Sequence, residues 1–146
     1  MNCWRLELRG PWTIGVVALG IGLLSVAGGT RGLAARDADS AAEKEAAKIF
    51  EKTILPTLKE HCFECHSASA TELKGNLKLD SREGLRRGGA NGTGIVPGEP
   101  DRSFVLKAIS YREDDYKMPP RGKLDEEILK AFTKWVEAGA PDSRAQ

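Results

Sequence analysis

Side chains able to grip a metal or carry redox chemistry are scarce in this 146-residue chain, which has two histidines, three cysteines and two methionines. A surplus of charge is missing too: 22 basic residues stand against 21 acidic ones, a formal net charge of +1. No strongly basic face is left for nucleic acid, so that class of partner is excluded. Past residue 35 the cysteines reduce to Cys62 and Cys65, and a domain of this size with no spare pair has no disulfide staples. Strand periodicity is also absent. Asn76-Leu77-Lys78-Leu79-Asp80 alternates, but over too few residues to be more than an isolated extended stretch.

The scarce residues are concentrated. His61-Cys62-Phe63-Glu64-Cys65-His66 holds both histidines and one Cys-x-x-Cys-His. That pentapeptide is the attachment signature of c-type haem, in which two thiols bond to the porphyrin vinyl groups and the histidine ligates the iron. Two other uses of the same residues compete. A tetrahedral structural zinc needs ligands converging from two separated pieces of chain. Here every candidate lies within two turns of backbone, the neighbours His61 and Cys62 do not easily both face one ion, and no second cluster exists. A thioredoxin-like dithiol belongs beside a βαβ pattern, and no such alternation surrounds residue 62. Haem is the favoured reading, with a dithiol/disulfide pair as its main rival.

An iron held by His66 has a sixth position open to methionine, histidine or lysine. Past residue 35 the only methionine is Met118, in Tyr116-Lys117-Met118-Pro119-Pro120. A solitary methionine is usually a core gap-filler. This stretch is too polar and proline-rich for ordinary core, however, and its prolines pin the backbone, as suits a ligand held in place. His61 is the only rival histidine. Tethered beside Cys62, it is read as a bystander that does not reach the opposite face. His/Met ligation is also the pairing of electron-carrying cytochromes.

Covalent haem attachment takes place outside the cytoplasm in bacteria, and the N-terminus agrees with export. Arg5 and Arg9 flank Glu7, an uncharged run follows from Gly10 to Thr30 with its apolar centre at Ile14 to Ala27, and small-x-small sites lie at Ala27-Gly28-Gly29 and Gly32-Leu33-Ala34. This is the layout of a secretory signal peptide over residues 1–35. The arginines are unpaired, which favours the general secretory route over twin-arginine export. The rival reading is an uncleaved membrane anchor through residues 10–30, since the run is just long enough to span a bilayer. Glycines at 10, 15, 20, 22, 28 and 29 dilute its hydrophobicity and favour cleavage. Removing residues 1–35 takes away Arg5, Arg9 and Arg31 with Glu7, leaving a near-neutral domain over 36–146 with 19 basic and 20 acidic side chains.

Four segments of that domain are predicted helical. The first opens with Ser40-Ala41-Ala42-Glu43, a capping box, and turns Ile49, Phe50, Thr53 and Ile54 to one face. Pro56 kinks or restarts it, and a last turn leads into Cys62, where helical spacing brings positions i, i+3 and i+4 to one side. The second runs from about Ser81 to Arg87, started by Asp80 and stopped by Gly88-Gly89. A third follows Pro100, with Phe104, Val105, Ala108 and Ile109 apolar. The fourth is capped by Asp125 and ended by Gly139 and Pro141, with Ile128, Leu129, Phe132, Trp135 and Val136 at helical spacing. Packing of the first helix against the last is expected to close a haem pocket. Gly88 to Gly98 is a loop, and its Gly92-Thr93-Gly94 carries little weight as a phosphate site, since no strand precedes it.

Ile54-Leu55-Pro56-x-Leu58 before Cys62-x-x-Cys65-His66, then Leu77-x-Leu79-Asp80-Ser81-Arg82, Gly88-Gly89, Ile95-Val96-Pro97-Gly98, Ser103, Lys117-Met118-Pro119-Pro120, Leu124 and Trp135-Val136-x-x-Gly139-Ala140-Pro141 occur in this order. The series, about residues 45–141, resembles the planctomycete-type cytochrome c domain. The resemblance implies an all-α, small cytochrome c-like helical domain around one covalently bound haem c, anchored by Cys62 and Cys65, with His66 and Met118 as axial ligands. It implies one-electron transfer outside the cytoplasm with redox partner proteins, rather than enzymatic turnover. Within it, Arg82, Arg86 or Arg87 is a candidate to pair with haem propionates, with a solvated helix face as the equal alternative for each, and the Pro97 carbonyl is a candidate to accept a hydrogen bond from His66. The alternatives are a haem sensor in which Met118 leaves to admit a small ligand, and a non-haem dithiol oxidoreductase.

Overall fold

The computed structural model describes residues 31–144, with side chains from Asp39 onward. Among them every regular element is helical: α1 (Arg31–Ile49), a π-helical turn (Phe50–Ile54), α2 (Leu55–His61), α3 (Arg82–Arg87), α4 (Phe104–Ser110) and α5 (Glu126–Glu137). Short 3-10 turns at Lys74–Asn76, Pro100–Arg102 and Asp114–Tyr116 punctuate the connections. The all-α expectation holds. The extended stretch around Leu77 pairs with no strand, and the only β-type contact among the described residues is an isolated bridge between Gly89 and Gly92. Residues 1–30, which carry most of the expected signal or anchor segment, lie outside the described residues. No helix of the described residues is long and apolar enough to cross a membrane.

α1, the π turn and α2 run on as one rod whose buried stripe is Ala46, Phe50, Ile54 and Leu58, all at most 2% exposed. A strict spacing of four drifts around an ideal α-helix, which has 3.6 residues per turn. The wider π turn absorbs part of that drift and keeps the stripe on one side. It also precedes Pro56, whose missing donor and bulky ring disrupt a regular ladder. There the Leu55 N–H donates to the Phe50 carbonyl, five residues back. Two details differ from the sequence reading. Ser40 does not start the helix, because the alanine-rich run from Ala34 to Ala47 favours helix throughout and carries it back to Arg31. Ser81, not Asp80, caps α3, its hydroxyl accepting from Gly84 N–H at 3.1 Å. The Asp80 carboxylate instead accepts from Ala68 N–H at 2.6 Å, tying down the loop after the Cys-x-x-Cys-His motif.

α5 lays its stripe across the rod. Trp135 stacks on Phe50 with centroids 5.6 Å apart, and Phe132 meets Trp135 edge-on at 6.3 Å. Asp125 stands at the N-cap position of α5 without a side-chain cap bond, so Glu126 and Glu127 supply the negative charge that its helix dipole favours. Gly139, at φ +90°, ends the helix as expected. α4 packs on α5 and buries Val105, Ala108 and Ile109.

Candidate functional site

The Cys-x-x-Cys-His motif leaves the end of α2 as a single tight turn. Cys62 N–H donates to the Leu58 carbonyl at 3.0 Å, and His66 N–H to the Cys62 carbonyl at 2.9 Å. Both cysteines are free thiols and half-buried. Burial pushes the Cys62 thiol from 9.0 up to about 11. His66 Nδ1 is buried with no hydrogen-bond partner. Such an orphan is uncommon in a folded interior, where buried polar groups are paired.

Met118 arrives from the other end of the chain. Its N–H donates to the Ala108 carbonyl of α4 at 3.1 Å, and the Tyr111 hydroxyl donates to the Pro119 carbonyl. Two bonds to α4 and its C-cap therefore fix the loop, and Tyr116 is set by an edge-on contact with Phe104 at 5.0 Å. Met118 is 40% exposed, the one large hydrophobic side chain among the described residues left so open. An exposed Arg121 on the same loop reaches Glu64, inside the motif, at 2.8 Å.

Cys62, Cys65, His66 and Met118 line one cavity of about 490 Å³. Its walls are largely apolar: Leu77, Leu79, Phe104, Val105, Ala108 and Ile109, with Gly89, Gly92 and Gly94 along one side. The volume falls within the roughly 300–1,000 Å³ usual for small-molecule and cofactor sites. An apolar hollow of this size in a small core lacks packing partners on one side. It suits an apolar occupant, with two thiols, an imidazole and a thioether among the groups that line it. A larger groove of about 650 Å³ between α4 and α5 is walled by charged side chains and holds none of the expected site residues.

The remaining expected residues sit elsewhere. Arg82 donates to the Asp142 carbonyl at 3.4 Å, Arg86 to the Ala140 carbonyl at 3.4 Å, and Arg87 pairs with Glu83 at 3.6 Å. None of the three lines the cavity, because α3 turns its basic side toward the C-terminal segment. Pro97 is exposed in the turn closed by Glu99 N–H on the Val96 carbonyl, and His66 Nδ1 makes no bond to it. His61, read as a bystander, does line the cavity, its Nε2 lying 3.9 Å from a Glu60 carboxylate oxygen.

Sequence reasoning passed over the walls. Leu77 and Leu79 alternate because both face the cavity, and that short alternation was the available signal. The glycine-rich loop earns its composition by close approach: a Cβ on Gly88, at φ +80°, would run into the backbone of Gly92 and Gly94.

Residues 62–122 match a family model described as Planctomycete cytochrome C. The match begins at the first motif cysteine and ends four residues past Met118. No curated protein and no solved structure matches the chain.

Proposed function

We propose that this chain, which carries a planctomycete-type cytochrome c domain matched over residues 62–122, is a single-haem electron carrier with His66 and Met118 as its axial ligands. The domain's cofactor is a covalently bound c-type haem. When bound, haem supplies reversible one-electron chemistry at its iron. Cys62 and Cys65 tether it, the apolar walls exclude water from it, and the His66 imidazole and Met118 thioether are the donors on offer to the metal. The observation that carries this reading is that all four residues line one apolar cavity although 52 positions separate His66 from Met118.

The dithiol alternative is opposed by Cys62 itself. A reactive thiol needs its pKa lowered by a helix N-terminus or a nearby cation. Burial moves Cys62 the other way, to about 11, and it stands at the C-terminal end of α2. The exposure of Met118 favours one refinement, a sensor in which this side chain gives way to a small ligand.

The reading includes an extracytoplasmic location, with residues 1–35 as targeting segment, and redox proteins as partners. Expression with a cytochrome c maturation system, followed by mass measurement and visible spectroscopy, tests it. The expected product has one haem added, a cleaved N-terminus and a low-spin iron with a sulfur-to-iron charge-transfer band. A five-coordinate ferrous spectrum supports the sensor, and a mass without haem sinks both.

A further inference from the structure

The segment Ala140–Arg144 lies beyond the family match and reaches the cavity wall at Leu79 through Arg144. Arg144 Nε donates to Asp142 Oδ1 at 2.9 Å and Nη2 to Oδ2 at 2.6 Å, with the two side chains 15% and 1% exposed. Every other ion pair among the described residues leaves both side chains more than a third exposed. The guanidinium carbon lies 5.1 Å from the centre of the Phe50 ring, and Nη1 donates to the Leu79 carbonyl at 2.8 Å. The segment is itself pinned, since the Trp135 indole donates to the Pro141 carbonyl at 2.9 Å.

Leu79 passes this contact inward. Its N–H donates to the His66 carbonyl at 2.8 Å, and its buried side chain lines the cavity. Metal-ligating histidines usually take their orientation from a hydrogen bond at the far ring nitrogen. His66 Nδ1 has none, so its ring must be oriented through backbone and packing. A buried ion pair is a poor source of stability, because apolar residues of the same shape do as well. It does supply a directed donor, since the planar fork of arginine fixes the angle of every bond it makes.

We infer that Arg144, held by Asp142, is a positioning residue for His66: it fixes Leu79, and through the Leu79 N–H it fixes the His66 backbone and the orientation of its imidazole. The inference rests on the assignment of His66 as axial ligand. It is tested on ferric holoprotein by the paramagnetic proton shifts of the haem methyls, which report the orientation of the axial imidazole, alongside the melting temperature. Arg144→Met is expected to reorder the methyl shifts and to shift the reduction potential. Arg144→Lys, which keeps the charge and loses the fork, is expected to restore the wild-type pattern in part. Leu124→Ala, a buried site that does not line the cavity, is expected to lower the melting temperature with the shifts unmoved. If Arg144→Met melts lower and keeps the wild-type shifts, the residue is merely structural and the inference falls. Should that variant yield no holoprotein, the isosteric Asp142→Asn takes its place with the same two outcomes. A haem-loaded wild type without low-spin iron would instead overturn the axial assignment, and this inference with it.

Discussion

Trp135 lies flat against Phe50, ring centroids 5.6 Å apart at an interplanar angle of 27°, and both rings are at most 1% exposed. This contact joins the rod that delivers the Cys-x-x-Cys-His motif to the helix that closes the domain. Phe50→Ala is expected to destabilise the holoprotein by about 3–5 kcal/mol, the range for deleting a buried aromatic ring. Denaturant titration followed by far-ultraviolet circular dichroism measures it. A loss below about 1 kcal/mol would mean that the two helices are held together by something else.

Met118→Ala is expected to keep its covalent haem, because the thiols are untouched, and to lose the low-spin ferrous spectrum. Met118→Leu keeps the apolar bulk while removing the sulfur donor, so it should behave the same way. A low-spin spectrum surviving in both variants would exclude Met118 as a ligand and turn attention to His61, which also lines the cavity.

Tyr111→Phe removes the hydroxyl that donates to the Pro119 carbonyl. The cost is expected to be about 1 kcal/mol, concentrated in the loop. In denaturant, the sulfur-to-iron band should then vanish before the helices unfold, whereas in wild type the two losses stay closer together. Coincident transitions in the variant would show that Met118 is held chiefly by its own N–H bond to Ala108.

The raised pKa of Cys62 predicts behaviour of the chain before haem is attached. Burial favours the neutral thiol, so the stability it contributes is complete below pH 9.0 and is lost as pH climbs toward about 11. Alkylation of the haem-free protein by iodoacetamide should be slower at Cys62 than at a free cysteine near pH 8, and should accelerate toward pH 11. Rapid alkylation near neutrality would mean that the thiol is not enclosed as drawn.

What the sequence disclosed is what repeats locally or is chemically rare. The α5 stripe from Ile128 to Val136 has helical spacing, and Asp125, Gly139 and Pro141 punctuate it, so its extent is legible residue by residue. Met118 stood out by scarcity, and it lines the cavity with the motif residues. The partners that Arg82 and Arg86 take near residues 140 and 142 were not legible, because no local pattern announces a contact across more than 50 positions. Ser40 misled for the opposite reason: its capping box is a local signal that an alanine-rich neighbourhood outvotes. The π turn also escaped notice, since a stripe spaced by four reads as ordinary helix until its drift is followed over three turns.

The stacking of Phe50 on Trp135 carries a consequence for the order in which this molecule comes into being. Eighty-five positions separate the two rings, while the motif follows Phe50 by only twelve. Contacts between distant positions form late, because a long loop must close before they are rewarded. The turn that carries Cys62 and Cys65 is held by local bonds, Cys62 N–H to Leu58 and His66 N–H to Cys62, and no residue of α5 lines the cavity. The thiols are thus presented on local structure whose formation does not wait for the Phe50–Trp135 stack.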